Sequence, residues 1–395
     1  MSRIAAALAL MLASAGALAA QKPGGGLAAQ KPMEGAWIVR LGRDTVAVER
    51  YKRTGNAINL EQVLHTPQTS LRHTHLEWAP DGRLSNAMLM LHRIGATMDA
   101  PLLGSTTLTV KGDSGTIVVK QGDSTLAPRH IAIKGDAIPA MQFSYLPYEL
   151  AAMRLRASRK DSIEVHMLGL GPQPPLATKV KRLGKDSVTF TNQLLTYRAK
   201  VDKVGRLWGM HAPGSTFRVK VERLPAVDIN AIANAWLAAD EKGAKMGMLS
   251  IPDSVMTNIG GADIAIKYSR PSKRGRVIFG EIVEWNKVWR TGANSATMFT
   301  TSKDLMFGGT HVPAGSYTLF TLPTQTGATL IINKQTGQWG TEYKPEMDLA
   351  RIPMTTKKIA DPLERFVITI DPQGNGGVLK LSWDTMEMAV PFRVM

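Results

Sequence analysis

Hydrophobic and polar residues alternate over short stretches between residues 36 and 225, and polar turns separate these stretches. Alternation with a period of two puts one set of side chains on each face of a β-strand. The turns at 79–82 and 112–115 contain Gly with Asp, and such turns indicate β-hairpins. The pattern predicts strands at 37–41, 45–50, 71–78, 84–91, 106–111, 116–120, 162–168, 177–183, 187–190, 195–201 and 217–223. So many strands with short turns predict an antiparallel β domain at 36–225, built as a curled sheet or half-barrel.

Two segments have helical spacing instead. Apolar residues recur at intervals of three and four over 147–157, which predicts a helix within the β domain. A second predicted helix follows Asp228, a good N-cap residue, and ends at Gly243. Its apolar stripe consists of Ile229, Ile232, Ala233, Trp236 and Leu237. This short helix is the centre of a predicted connecting segment at 226–250.

Alternation returns after residue 251. The segment 262–268 places apolar residues on one face and charged residues on the other, and Gly308-Gly309 marks a further hairpin. More strands are predicted at 305–307, 311–312, 316–322, 329–333, 366–370, 378–383 and 388–392. The carboxy-terminal part, 251–395, is therefore predicted to be a β-sandwich or jelly-roll-like domain, and the whole chain to be mainly β.

The start of the chain has the three parts of a secretory signal peptide. Arg3 is followed by an apolar run over 4–13 and by small residues at 17–19. The prediction is a signal peptide at 1–19, and the Gly- and Pro-containing repeat behind it predicts a flexible tether at 20–35. The protein is accordingly expected to be exported, and so periplasmic or secreted, with no transmembrane segment in the remainder.

Charge and cysteine content narrow the expected partners. The chain has 48 Lys and Arg against 32 Asp and Glu, a formal net charge of +16, and no cysteine. Disulfides and thiol chemistry are therefore excluded. For an exported protein, this charge favours an anionic glycan, a lipid phosphate or a small anionic ligand over nucleic acid. No cofactor is predicted.

Five potential metal ligands lie on two neighbouring predicted strands: His73, His75, Met88, Met90 and His92. If Asp81-Gly82 formed a two-residue turn, all five would share one face, and imidazole with thioether suits copper. Pro80 instead favours a three-residue loop, which would place His73 and His75 opposite Leu89 and Ala87. A register difference of one residue separates the two arrangements. The arrangement with the three-residue loop is favoured. It gives the histidines structural roles and predicts no metal site.

The stretch 268–297 combines arginines with tryptophans more densely than any other of its length. An arginine fork matches carboxylate, phosphate or sulfate, and an indole can stack on a sugar ring. A glycine inside 290–294 lets the backbone approach a bound group closely. The predicted ligand-binding residues are Arg270, Arg276, Trp289, Arg290 and Asn294. The alternative is that the tryptophans are core residues and that Arg290 pairs with a carboxylate such as Glu281.

The same stretch opens a series of ordered motifs: YSRPSKRGR, IFGE, VWRTGAN, PAGSYTLFTLP, IINKQTGQWGT and LSWD. Together they resemble the bacterial family known as domain of unknown function 2911, over about 251–395. The resemblance implies a family but no activity, and it supplies no catalytic residues.

Familiar catalytic motifs are absent: the sequence has no Gly-x-Ser-x-Gly, no His-Glu-x-x-His and no phosphate-binding Gly-Lys-Ser loop. Two hypotheses remain. The favoured one is an exported envelope protein that binds an anionic or glycan ligand, or acts as a scaffold, through its carboxy-terminal domain. The alternative is an exported hydrolase or lyase that uses carboxylates and arginines of the same cleft. Two carboxylates facing a cleft beside Arg290 would favour the enzyme, whereas a cationic cleft lined with indoles would favour binding.

Overall fold

The structure, a computed structural model, describes residues 33–95, 101–133, 137–170, 175–193, 195–212 and 217–395. The predicted signal peptide and residues 20–32 of the predicted tether lie outside the described residues. The last three tether residues belong to a strand, because the first strand begins at Met33. The described chain is mainly β, as predicted, with two sheets and two α-helices. Neither helix is long and apolar enough to span a membrane.

Sixteen strands and helix α1 make up the amino-terminal part. The elements are β1 (Met33–Leu41), β2 (Asp44–Thr54), β3 (Ala57–Leu64), β4 (Ser70–Trp78), β5 (Leu84–His92), β6 (Gly104–Lys111), β7 (Ser114–Gln121), β8 (Ser124–Thr125), β9 (Arg129–Ala132), β10 (Ile138–Ala140), α1 (Leu146–Ser158), β11 (Ser162–Gly169), β12 (Leu176–Arg182), β13 (Ser187–Thr191), β14 (Thr196–Val201), β15 (Leu207–His211) and β16 (Val219–Leu224). The sheet order is β10-β11-β12-β13-β14-β15-β16-β1-β2-β3-β4-β5-β6-β7-β8, with β9 also paired to β7.

One strand pair departs from the predicted antiparallel arrangement. Strands β10 and β11 are parallel, with Ile138 opposite Met167. A parallel connection must cross over the sheet, and α1 provides the crossover between these two strands. The buried side chains of α1, including Leu146, Leu150 and Leu155, belong to the same core cluster as those of the strands. Helix α1 therefore covers the core face of the sheet.

Buried polar groups hold α1 in place on that core face. Glu149 of α1 is completely buried, accepts a hydrogen bond from Leu207 N at 2.6 Å and contacts the Tyr51 hydroxyl and the Arg223 guanidinium. Glu49 Oε1 accepts a hydrogen bond from Tyr145 N, the residue before α1, at 2.6 Å. These contacts satisfy backbone donors that would otherwise be buried without partners.

The opposite, outer face of the sheet carries the predicted connecting helix, α2 (Ile229–Glu241). Asp228 caps it as predicted, because its Oδ1 accepts a hydrogen bond from Ala231 N at 3.0 Å. Ile229 and Ala233 of α2 form a second, smaller core with side chains of β2, β3 and β4, namely Val48, Val63 and Leu71.

The predicted register of β4 and β5 is wrong. The loop end follows the prediction, since Trp78 is opposite Leu84, but Glu77 is opposite Asn86, so Ser85 is an extra residue in a β-bulge. The Ser85 hydroxyl donates a hydrogen bond to Glu77 O at 3.1 Å at this bulge. Beyond it, every pair is shifted by one residue, so that His73 lies opposite Met90.

The carboxy-terminal sheet has nine strands. They are β17 (Ser250–Ile259), β18 (Ala262–Pro271), β19 (Thr297–Thr301), β20 (Leu305–Phe307), β21 (Thr310–Val312), β22 (Gly315–Pro323), β23 (Ala328–Asn333), β24 (Asp348–Gln373, after a 3-10 turn at Pro345–Met347) and β25 (Gly376–Val394). The order is β17-β18-β19-β22-β23-β24-β25-β20-β21. Strand β24 begins beside β23, but its second half contacts β18, where the Tyr268 hydroxyl accepts a hydrogen bond from Ile368 N at 3.0 Å. The sheet thus folds over its own core, in which Trp383 and Phe366 are fully buried.

The two sheets contact each other through charged groups. Arg274 NH1 lies 2.6 Å from Asp44 Oδ2, and Arg274 O accepts a hydrogen bond from Arg43 N at 3.0 Å. A second contact joins Arg218 NH2 to Glu284 Oε1 at 3.2 Å. On the carboxy-terminal side, these contacts are made by Arg274 and Glu284. Both residues lie in the long connection between β18 and β19, which is also the stretch rich in arginine and tryptophan.

Candidate functional site

The connection between β18 and β19 consists of turns and isolated bridges rather than strands. Non-glycine residues with positive φ occur in it at Arg274, Asn286, Thr291 and Asn294. Such backbone conformations are uncommon outside glycine and cluster where the surrounding structure fixes a loop. Binding side chains are often carried by a loop held in this way on a rigid sheet.

A small cavity of about 220 Å³ opens beside this connection and contains Arg290. Burial lowers the pKa of Arg290 to about 10, so the guanidinium remains charged at neutral pH. The side chain lies against Gly340, where an added Cβ would be only 2.3 Å from Arg290 Cδ. The residues that line the cavity are Ile282, Val283, Glu284, Lys287, Val288, Trp289, Arg290, Phe320, Gly340, Thr341 and Tyr343.

Asn294, another of the predicted site residues, contacts Arg290 directly. Its carbonyl oxygen accepts hydrogen bonds from Arg290 NH1 at 3.4 Å and from Gly340 N at 3.0 Å. The Asn294 residue itself is exposed, in a left-handed turn with φ of 61°. It therefore fixes the loop around Arg290 with its backbone, while its side chain faces solvent.

Trp289 borders the cavity, but its ring belongs to the core. The residue is 5% exposed, stacks on Trp383 at 5.9 Å and meets Phe366 edge-on at 5.0 Å. Its backbone exchanges two hydrogen bonds with Thr321, at 2.7 and 2.8 Å. This strand-like pairing positions Arg290, the next residue, in the lining of the cavity.

Arg270 and Arg276 make structural contacts elsewhere. Arg270 pairs with Asp253 at 3.2 Å and donates a hydrogen bond to Phe366 O at 3.0 Å, which ties β18 to β17 and β24. Arg276 donates to the carbonyls of Ser272 and Lys273, and burial lowers its pKa to about 10. Among the described residues, neither arginine lines the cavity of Arg290.

A much larger groove, which the sequence did not indicate, lies next to this cavity and is called the basic groove below. Its volume is about 1200 Å³, and it is lined mainly by residues of β14, β15 and β16 together with the β18–β19 connection. Glu284 and Lys287 line both the cavity and the groove, so the two spaces adjoin. The charged residues that line the groove are Arg198, Lys200, Arg218, Lys220, Lys287, Glu222 and Glu284.

Both carboxylates of the basic groove are already paired with cations. Glu284 contacts Arg218 at 3.2 Å and Lys287 at 2.5 Å. Glu222 contacts Lys220 at 2.7 Å, and this ion pair lowers its pKa. Within the described residues, the two outward cations of β14, Arg198 and Lys200, form no ion pair. The groove therefore has an excess of positive charge at its β14 side.

An exposed indole completes the basic groove. Trp208 on β15 is 59% exposed, which is unusual for so large an apolar side chain. The alternation of β14 could have located Arg198 and Lys200 on one face, because they are two residues apart on a predicted strand. Their proximity to Trp208 and to Lys287 depends on strand pairing and on the docking of the two sheets, which the sequence pattern does not contain.

Comparison with known proteins gives one family match, in the carboxy-terminal part of the chain. Among solved structures, the chain is similar to a beta-barrel-like protein of domain of unknown function DUF1849 from Brucella abortus (10% identity, 49% of this chain, 94% of that chain, TM-score 0.31). It is also similar to a structure described under the cell entry of botulinum neurotoxin type C and its interaction with two ganglioside molecules (9% identity, 92% of this chain, 88% of that chain, TM-score 0.11). Similarities this low carry no argument about fold or function. No curated protein matches the chain. Residues 250–392 match the family described as "Protein of unknown function (DUF2911)", which confirms the resemblance of the carboxy-terminal part of this chain to that family.

Proposed function

We propose that this protein is exported to the cell envelope and binds an anionic glycan, or a similar ligand that carries both rings and negative charge, in the basic groove. The observation that carries the proposal is the combination of a groove of about 1200 Å³ with an exposed Trp208 and a surplus of cations. Export is supported by the signal-peptide pattern at 1–19 and remains part of the proposal.

The charge arrangement supports an anionic ligand. Five cationic side chains line the groove against two carboxylates, and both carboxylates are paired. Arg198 and Lys200 can therefore interact with a ligand without first giving up an ion pair. Charge-assisted hydrogen bonds of this kind are about twice as strong as neutral ones.

The exposed Trp208 supports a ligand with ring surfaces. An indole face presents a flat apolar area that stacks on the apolar side of a sugar ring or on another aromatic ring. Trp208 also stands beside Gly209, which has no side chain. A ligand that lies along β14 and β15 would contact the cations on one strand and the indole on the other.

Binding is favoured over hydrolysis because the carboxylates are not available. Hydrolysis of a glycosidic bond needs two carboxyl groups, one of them protonated, on either side of the bond. In the basic groove, Glu222 and Glu284 are each held by cations, and the pKa of Glu222 is lowered rather than raised. Neither group is thus suited to act as a general acid.

The test is calorimetric titration with a heparin-derived hexasaccharide, and with uncharged maltohexaose as the comparison ligand. Lys200→Glu is expected to weaken hexasaccharide binding about tenfold, or ~1.4 kcal/mol, because it reverses a charge that faces the ligand. The matched control is Lys111→Glu, an equal charge change on an exposed residue at the end of β6. Equal effects of the two variants would show that only net charge matters and would overturn the groove proposal.

Trp208→Ala tests the ring contact separately. We expect about two- to thirteenfold weaker hexasaccharide binding, since a ring stack contributes ~0.5–1.5 kcal/mol. Met256→Ala, which truncates a 68% exposed side chain on β17, is the control for loss of surface apolar area. Unchanged affinity in Trp208→Ala would exclude a stacked ring and leave, at most, a site for a simple anion.

Arg290→Ala asks whether the adjoining cavity takes part in binding. If a ligand sulfate or carboxylate enters it, the loss of one charge-assisted contact should cost roughly 1.5–3 kcal/mol of affinity. If Arg290 serves the fold alone, the variant should lower the melting temperature and leave the affinity of the folded protein unchanged. Measuring both quantities on this variant separates the two roles.

A further inference from the structure

A second candidate site lies on the outer face of the amino-terminal sheet, away from the basic groove. Because of the bulge at Ser85, His73 is opposite Met90, His75 is opposite Met88 and Leu71 is opposite His92. Directly opposed residues on antiparallel strands point to the same face of the sheet. All five nitrogen- and sulfur-containing side chains therefore share the outer face of β4 and β5.

Two of the histidines form a buried pair. His73 is 8% exposed and His92 is 6% exposed, and their rings meet edge-on with centroids 4.4 Å apart. His73 Nδ1 and His92 Nε2 are both buried and have no hydrogen-bond partner. A buried polar atom without a partner is costly, and two of them on touching rings call for an explanation such as a bound ion.

Glu61 on β3 orients the His73 ring. The Glu61 carboxylate lies 3.5 Å from His73 Nε2 and also pairs with Arg50. With its Nε2–H directed at Glu61, a neutral His73 has its lone pair on Nδ1. Metal-binding histidines are commonly oriented by a carboxylate in this way.

The available donors define the class of metal. In the part of the chain that the structure describes, no three His, Asp or Glu residues converge as a ligand set, and the chain has no cysteine. A structural zinc site takes four such ligands, so this ligand set does not suit zinc. Two imidazoles with a thioether form a soft donor set, which suits Cu(I).

We propose that His73 Nδ1 and His92 Nε2 bind one Cu(I) ion, with the thioether of Met90 as the third ligand. Met90 is the residue directly opposite His73, so its flexible side chain can reach the space between the two rings. Burial of both histidines keeps the ion away from water, and Glu61 fixes the ring that faces it.

His75 provides a matched control on the same strand and face. Its Nδ1 is 2.7 Å from Asn59 Oδ1 and its Nε2 is 3.0 Å from Glu77 Oε1, so both ring nitrogens already have partners. Replacing His75 should therefore leave Cu(I) binding unchanged, although it removes one imidazole from the immediate neighbourhood.

The experiment is anaerobic competition of the full chain with bicinchoninate for Cu(I), alone and in excess Zn(II). One equivalent of Cu(I) is expected to bind, and Zn(II) should not displace it. His92→Gln should lower the affinity at least 100-fold and Met90→Leu about tenfold, while His75→Gln should match the wild type. Failure of the wild type to compete with bicinchoninate, or equal losses in His75→Gln and His92→Gln, would overturn the site.

Because His92→Gln removes a buried side chain, X-ray absorption of the Cu(I)-loaded wild type provides a readout that needs no variant. A shell of two nitrogen neighbours and one sulfur neighbour is expected, and the sulfur shell should vanish in Met90→Leu, a substitution that nearly conserves volume. A spectrum with nitrogen neighbours alone in the wild type would exclude Met90 as a ligand. Neither result affects the basic groove, which lies on other strands.

Discussion

Glu49 shows how one buried carboxyl group can make the stability of this fold depend on pH. It is fully buried on the core face of β2, and desolvation raises its pKa from 4.5 to about 7, despite hydrogen bonds from Tyr145 and Leu146 that lower it. A folded-state pKa above the unfolded value means that the folded protein binds the proton more tightly between these two pH values. Stability from Glu49 is therefore complete below about pH 4.5 and is lost as the pH rises through about 7.

We expect Glu49→Gln to remove this dependence. Glutamine resembles the protonated carboxyl group, so the variant and the wild type should have similar free energies of unfolding at pH 4.5. At pH 8 the variant should be more stable, by a difference on the order of 3 kcal/mol. Urea unfolding at both pH values measures the difference directly. If the difference in free energy of unfolding between the variant and the wild type is the same at both pH values, the raised pKa of Glu49 is contradicted.

At the scale of single residues, the sequence identified the chemistry of side chains better than their surroundings. Trp289 and Trp208 look alike in the sequence, yet the first stacks in the core and the second is 59% exposed in the basic groove. Arg270 and Arg290 both belong to the stretch 268–297, but Arg270 connects strands while Arg290 lines a cavity. Exposure depends on which elements pack together, and local sequence does not specify that.

At the scale of elements, close backbone contacts show where the chain needs glycine. Gly205, between β14 and β15, has φ of 97°, and an added Cβ would lie 2.6 Å from Met153 Cα in α1. Gly184, between β12 and β13, has φ of 79°, but nothing lies within 4 Å of its added Cβ. Both glycines thus have a backbone conformation that is unfavourable for other residues. They differ in the space that surrounds them.

This difference predicts unequal costs for the same substitution. Gly184→Ala should destabilise the fold by about 1–2 kcal/mol through backbone strain alone. Gly205→Ala should cost at least about 2 kcal/mol more, since the methyl group would have to displace α1, which is fixed by its buried face. Thermal unfolding of both variants tests the prediction. If their melting temperatures fall equally, α1 is free to move away from the β14–β15 turn.

Most elements could be predicted because their signals are local. The hairpin turns, the strands between them and both helices follow from Gly and Asp positions and from hydrophobic periodicity, and Asp228 caps α2 as expected. The register of β4 and β5 could not be predicted in the same way. The bulge at Ser85 is stabilised by a hydrogen bond to the facing strand, which an alternating pattern does not reveal. That single residue decides whether His73 faces Met90 or Leu89.

At the scale of the whole molecule, charged contacts and the segment after α2 join the two sheets in the part of the chain that the structure describes. Arg274 is 8% exposed at its side chain and pairs with Asp44, which is 28% exposed, across the contact. The segment from Lys242 to Lys245 has no regular structure and is exposed. Segments of this kind, between separate cores, are where proteases cut a folded chain first.

We therefore expect brief trypsin treatment of the folded protein to cleave after Lys242 or Lys245 and to leave a resistant carboxy-terminal fragment that starts at Gly243 or Met246. Asp44→Ala should make the two cleaved parts separate more readily in size-exclusion chromatography, because it leaves the buried Arg274 without its carboxylate. The control is Asp113→Ala, which breaks an exposed ion pair within the amino-terminal sheet. Mass spectrometry of the fragments locates the cuts. If early cuts are scattered through both sheets, or if Asp44→Ala and Asp113→Ala behave alike, the two parts do not form independent cores held together by this contact.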